Sequence, residues 1–287
     1  MTYYFNLFGK CLSVQGAEPI FHAYAGQSSG PKKTDFALRL SSGQPFAQLP
    51  VGAVRTFYQP GWPAHYQFGN SRFYVSKNVC LRVETNQAEI TYLIEDDYLA
   101  WLAKQVVRYF AKIAALENDF VYLPVLLFES PSRSLIVAGR QGGGRHTFLN
   151  RAEKKNIRAF SGTTIVEPHS SALHWLPFGG ACAYKEIEGL NQENIQPERT
   201  PPVDSLVMVN RWVAEESALQ SLSPETAVDF LHELNRREYE LFTSRQLRTL
   251  KLLCRKWIRS VRVQKLCLGT SDKSLDGAIG QLCGVRP

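Results

Sequence analysis

The sequence predicts an α/β protein with a β-rich N-terminal portion, a mixed core built around a P-loop-type turn, and a helical C-terminal portion. Three observations predict it. Residues 1–95 read as short alternating strands divided by turn residues. A continuous apolar strand at 134–138 (SLIVA) runs straight into a glycine-rich turn and then a helical stretch. From Ser223 to about Ser260 apolar residues recur at helical spacing. The expected division is therefore 1–95 and 96–287.

Composition narrows the class. With 287 residues, 44% hydrophobic and 21% charged, the chain has the make-up of a globular protein with an ample core. No apolar run approaches the roughly 20 residues that span a bilayer. Residues 1–9 (MTYYFNLFG) lack the basic start and long apolar middle of a signal peptide, so the chain is expected in the cytoplasm with no membrane partner. The six cysteines (Cys11, Cys80, Cys182, Cys254, Cys267, Cys283) show no CxxC pair and read as small hydrophobes. The six histidines show no HExxH spacing, so no metal site is expected. A net charge of +7 suits nucleic acid, an acidic membrane or a phosphate-bearing ligand, and its distribution decides among them.

In chain order, residues 1–9 alternate as a first strand. Further strands are expected at 36–40, 71–75, 79–83 and 89–93, between turn signals such as Gln59-Pro60-Gly61 and Phe68-Gly69-Asn70. The aromatic residues of this portion are read as packing, with a binding face as the alternative. Leu99, Leu102, Val106, Phe110 and Ile113 then mark a helix over 95–116, with Lys104, Arg108 and Lys112 between them. Apolar strands follow at 120–128, interrupted by Pro124, and at 134–138. After the glycine turn, 148–155 is helical, and 156–160, 163–166 and 207–210 are strand candidates. Residues 188–204 are polar and proline-bearing, the composition of a mobile surface loop. Ser223-Pro224-Glu225 opens a helix, with a break near Thr243. Residues 261–268 form a last strand and 274–283 a closing helix.

The chemistry concentrates in Gly139-Arg-Gln-Gly142-Gly143-Gly144-Arg145-His146-Thr147. A phosphate-binding loop follows a buried strand and opens a helix. Its glycines let backbone N–H groups turn toward phosphate oxygens, and the helix start adds partial positive charge. A lysine then reaches the β- and γ-phosphates and the next Ser or Thr holds Mg²⁺. Here Arg145 stands at the lysine position, His146 at the hydroxyl position, and Thr147 one place later. Arginine keeps the charge but is forked and larger, and magnesium prefers hard oxygen ligands to imidazole.

Gly139-x-x-Gly142-x-Gly144-Arg145-His146-Thr147 is similar to the GxSGxGKST loop of the HPr kinase-related proteins, which include kinase-like proteins of peptide-modification clusters. Residues 3–12 (YYFNLFGKCL) resemble the YYxxxFGL start of many members, and 227–282 resembles their helical end. The resemblance implies an α/β core like that of phosphoenolpyruvate carboxykinase, and active members phosphorylate serine with ATP and magnesium. Where members carry Leu-His-(Ala/Gly), this chain has Tyr122-Leu123-Pro124-Val125. Where they carry aspartates on the strand after the loop helix, it has Ala159-Phe160-Ser161-Gly162-Thr163-Thr164, and Glu167, Glu186 and Glu188 are the next acids.

The expected site is thus Gly139, Gly142, Gly143, Gly144, Arg145, His146 and Thr147 for a nucleotide such as ATP. Arg145, Thr147 and Glu167 are the candidates for residual catalysis, with Mg²⁺ needed only if the chain is an active kinase. The first functional expectation is a catalytically impaired relative that binds or regulates a peptide or protein. The second is an atypical ATP-dependent serine kinase. A third follows from residues 236–265, where ten basic residues (among them Arg236, Arg245, Arg248, Lys251, Arg255, Arg259 and Lys265) face only Glu238 and Glu240. That helix reads either as packed with a solvated face or as a surface for an acidic partner, nucleic acid included. Oligomers are common among family members, but no interface is legible in the chain.

Overall fold

The computed structural model describes residues 2–16, 33–58, 63–130, 133–139, 142–153, 158–166, 168, 173–175, 203–236 and 242–283. The expected loop at 188–204 lies almost wholly outside them. The chain is mixed α/β and divides into two compact units, Met1–Ala114 and Ala115–Pro287.

The first unit is an eight-stranded sheet. Its strands are β1 (Thr2–Leu7), β2 (Lys10–Gln15), β3 (Phe36–Ser42), β4 (Val54–Phe57), β5 (Ala64–Phe68), β6 (Ser71–Val75), β7 (Val79–Val83) and β8 (Gln87–Tyr92), in the spatial order β1-β2-β3-β8-β7-β6-β5-β4. β2 and β3 run parallel, as do β3 and β8, and the remaining pairs are antiparallel. The first hairpin turns at Phe8 and Gly9, both at positive φ (52° and 81°), as a tight two-residue turn requires. Phenylalanine in that conformation is no turn signal, which is why β2 escapes a reading of the sequence.

Helix α1 (Asp97–Glu117) starts where the Asp96 side chain accepts the Leu99 amide at 2.8 Å. Its Phe110 ring stacks on Phe36 of β3, with centroids 5.1 Å apart. That packing sets most of α1 with the first unit, so the division falls inside the helix and later than residue 95. Leu99, Val106, Phe110 and Ile113 are buried as their spacing predicts, but so are Ala103, Val107, Ala111 and Ala114. A helix enclosed on several sides has no fully solvated face, and Arg108 and Lys112, read from the sequence as spacers between apolar positions, are only 7% exposed.

The second unit contains β9 (Val121–Ser130), β10 (Arg133–Ala138), β11 (Arg158–Val166), β12 (Leu173–Trp175), β13 (Ser205–Arg211), β14 (Ala218–Ser221) and β15 (Arg262–Leu268) in the order β12-β11-β9-β10-β13-β15-β14. β10, β13 and β15 are parallel neighbours, flanked by antiparallel strands on both sides. Pro124 sits in β9 beyond the stretch paired with β10, where a strand can lack a donor. The two strand candidates at 156–160 and 163–166 fall on the single strand β11, whose Gly162 stays in register with Val125.

Helices α2 (Arg145–Glu153) and α5 (Asp272–Cys283) share one core. Phe148 and Ala152 of α2 and Leu275, Ile279 and Leu282 of α5 pack with Leu135, Val137, Val207, Val209, Leu266 and Leu268 of the three parallel strands. The alternate residues Ile136, Ala138, Leu206 and Met208 are buried too, so both faces of this part of the sheet are covered. Continuous apolar strands such as SLIVA follow from that arrangement.

Helices α3 (Pro224–Arg236) and α4 (Ser244–Ile258) pack on each other and reach β9. Ser223 caps α3 by accepting the Thr226 amide at 3.2 Å. Thr243 caps α4 in a capping box, accepting from the Gln246 amide at 3.2 Å while the Gln246 side chain accepts the Thr243 amide at 2.8 Å. The expected break near Thr243 is therefore a cap. The five described cysteines are all buried. Burial pushes the Cys254 thiol up to about 12 and, with Glu89 adding repulsion, the Cys80 thiol up to about 11. Among the described residues no helix is long and apolar enough to cross a bilayer.

Thr243→Ala removes the half of the capping box that the Thr243 hydroxyl makes with the Gln246 amide, and leaves the Gln246 side chain on the backbone amide of residue 243. It is expected to destabilise the second unit by about 1 kcal/mol, read as a lower urea midpoint with an unchanged m-value.

Candidate functional site

The glycine turn leaves β10 at Gly139 and enters α2 at Arg145. It therefore lies at the carboxyl ends of the parallel strands, the end of an α/β sheet where ligands bind. The glycines have different physical reasons. Gly142 (φ +76°) is exposed, and an added Cβ would meet nothing within 4 Å, so only its backbone conformation demands glycine. Gly144 (φ +100°) is buried, and an added Cβ would lie 2.1 Å from Leu268 Cδ1 at the end of β15. Gly139 is held by contact alone. A Cβ there would lie 2.9 Å from Arg145 Cγ and 3.1 Å from the Val209 carbonyl oxygen of β13. The stem of Arg145 thus folds back across the start of the turn.

The Phe148 amide donates to the Gly144 carbonyl at 3.0 Å, an i to i+4 bond that starts α2 on Arg145. Gly144 is the N-cap, Arg145 the first helical residue, His146 the second and Thr147 the third. Each helical step rotates the side chain by about 100°, so Thr147 leaves the helix in a different direction from the position a magnesium-binding hydroxyl occupies. The His146 side chain and the whole of Glu167 lie outside the described residues. Glu167 follows Val166, the carboxyl end of β11. The two antiparallel pairings bring that end to the same edge of the sheet as the glycine turn, with β9 in between.

The strand beside the turn is β13, not β11. Its last residue, Arg211, is exposed, and its Cγ lies 3.5 Å from a Cβ built on Gly144. Arg211 and Arg145 therefore put two guanidinium side chains at one turn. Arg211 is the site residue that reading the sequence misses. The usable signal was its place at the carboxyl end of the strand expected at 207–210, one residue past that stretch.

The neighbouring helix start is built differently. Gly269, Thr270 and Ser271 precede α5, and their amides donate to Ser217 Oγ (3.0 Å), the Ala214 carbonyl (3.1 Å) and the Glu215 carbonyl (2.8 Å). Those donors are consumed by the chain itself. Among the described residues none accepts from the Gly142, Gly143 or Gly144 amides. Among the described residues, the start of α5 has its amides taken up and the start of α2 does not. Arg151 of α2 pairs with Asp272 and, at 3.7 Å, with Asp276 of α5, which ties the two helices together. Among the described residues no three His, Cys, Asp or Glu side chains come together as a metal would need.

The chain matches no family model. No curated protein matches it either.

The two buried or strained glycines make unequal demands. Gly144→Ala is expected to cost about 2–4 kcal/mol, from positive φ together with overlap on Leu268. Gly142→Ala is expected to cost about 1 kcal/mol, from φ alone. Paired urea titrations of the two variants measure the difference.

Proposed function

We infer that the chain is a degenerate relative of the HPr kinase-related proteins, with a P-loop-type turn that holds the phosphates of a nucleotide such as ATP. It acts in the cytoplasm as a binding or regulatory partner of a peptide or protein. The observation that carries this reading is the glycine turn between β10 and α2 at the carboxyl ends of the parallel strands, where no described residue accepts from the Gly142, Gly143 or Gly144 amides. Amides and helix dipole supply a sequence-independent anion cradle, and Arg145 and Arg211 add charge-assisted donors.

Efficient phosphoryl transfer asks for more. Positioning and metal electrostatics supply nearly all of its rate. Arg145 replaces a compact ammonium with a forked cation, and Thr147 is the third helical residue, turned away from where a metal-holding hydroxyl would stand. An atypical serine kinase using Arg145, Thr147 and an acid such as Glu167 is the rival reading.

Calorimetric titration with ATP and ADP, with and without Mg²⁺, separates the two. The expected result is ATP binding that Mg²⁺ changes by less than about threefold. Arg145→Ala is expected to weaken it about tenfold or more, the scale of a lost charge-assisted hydrogen bond. Marked tightening by Mg²⁺, together with transfer of labelled phosphate to a serine peptide, would establish the kinase instead.

A further inference from the structure

The outer face of α4 carries a second feature, independent of the glycine turn. The buried side of this helix is Leu250, Leu253, Cys254, Trp257 and Ile258. Successive helical residues turn by about 100°, which places Arg245, Arg248, Leu252, Arg255 and Arg259 within about 80° of one another on the opposite side. All five are exposed, Leu252 to 61%. Arg259 is the C-cap and keeps helical backbone angles, so the stripe runs the length of the helix, about 21 Å. Along it the residues alternate in steps of three and four, two cations on each side of one leucine.

The helix itself gains little from this arrangement. Its first turn has no acidic residue and carries Arg245, where the helix dipole disfavours a cation. Arg255 and Arg259 stand four residues apart and repel, as do Lys251 and Arg255. Among the described residues Arg245, Arg248, Arg255 and Arg259 form no ion pair. Acids lie on the flank toward α3, which exposes Glu225, Asp229 and Glu233. Asp229 pairs with Lys251 at 2.8 Å, and Lys251, with Arg255 and His232 adding less, holds its carboxyl below the usual range. Glu238 and Glu240, before α4, lie outside the described residues. An exposed leucine set among unpaired arginines at heptad spacing has the layout of an interface with an apolar centre and a charged rim.

We propose that this face of α4 docks an acidic amphipathic helix of a protein partner, an apolar residue of which seats on Leu252 while carboxylates pair with Arg248 and Arg255 and, beyond them, Arg245 and Arg259. Guanidinium forks grip carboxylates in pairs of hydrogen bonds, which suits arginine rather than lysine at all four places. Steps of three and four residues match those of a second helix laid along the first. A phosphate backbone would satisfy the cations but has no use for a leucine at their centre, and the stripe offers no ring for a base to stack on. One leucine is also too narrow an apolar face for a lipid surface. This deepens, and rests on, the partner half of the function proposed above; it does not depend on the nucleotide half.

The test uses the full chain and a fluorescein-labelled 21-residue helical peptide, with one leucine at its centre and glutamates at the flanking heptad positions, followed by anisotropy. Saturable binding that weakens with salt is expected, and a scrambled peptide of the same composition should bind at least about tenfold more weakly. Leu252→Ala is expected to weaken binding about tenfold, and Arg248→Gln with Arg255→Gln by as much again, while Leu252→Met stays near wild type. These side chains are exposed, so the variants keep the parent's urea midpoint within error and report on binding. No binding, or equal binding of the scrambled peptide, would overturn the assignment. A 21-base-pair DNA duplex that displaces the peptide and binds the Leu252→Ala variant undiminished would overturn it in favour of nucleic acid. The ATP titration above does not involve α4, so the nucleotide reading and this one fail separately.

Discussion

The second unit depends on one close approach: the Cα of Gly144 against Leu268. A side chain at 144 would strike Leu268 Cδ1 at 2.1 Å, so only glycine lets the turn settle onto the end of β15. That seat decides where α2 begins, because Gly144 is also the residue whose carbonyl accepts the first helical bond. Phe148 and Ala152 then reach the core shared with α5. One steric requirement thus couples the turn, the first helical turn and the packing of the sheet.

A neighbouring element shows what the turn would look like if it served structure alone. The start of α5 also follows a parallel strand and also contains a glycine, Gly269, packed so tightly that a Cβ would lie 2.4 Å from the Glu216 carbonyl carbon. There every amide of the turn finds an acceptor in residues 214–217. The result is a closed, self-satisfied cap. The two turns share a fold context and differ in where their donors go, and this difference separates an anion cradle from a structural cap.

Much of this was legible in the sequence wherever a local rule operates. The apolar run SLIVA, the glycines after it and the cap at Ser223 each follow from short-range chemistry. The rest depends on partners far away in the chain. Nothing local puts β13 beside β10, so the sequence does not reveal Arg211 at the turn, and the stretch 159–164 where the resemblance expects an acid lies on β11, beyond β9. The period of α1 identified its most apolar stripe, but not that Arg108 and Lys112 would be enclosed as well. The aromatic residues of β4–β6 look like core in composition; their exposure is set by strand order, which places them at the open end of the sheet.

The most direct measurement is hydrogen–deuterium exchange across residues 139–148, with and without ATP and without magnesium. If the amides of the turn close on phosphate, exchange at Gly142, Gly143 and Gly144 slows on adding ATP, while the amides of Gly269, Thr270 and Ser271 are unchanged. If ATP leaves Gly142–Gly144 as fast as before, or slows both turns alike, the turn is not a phosphate cradle and the account fails.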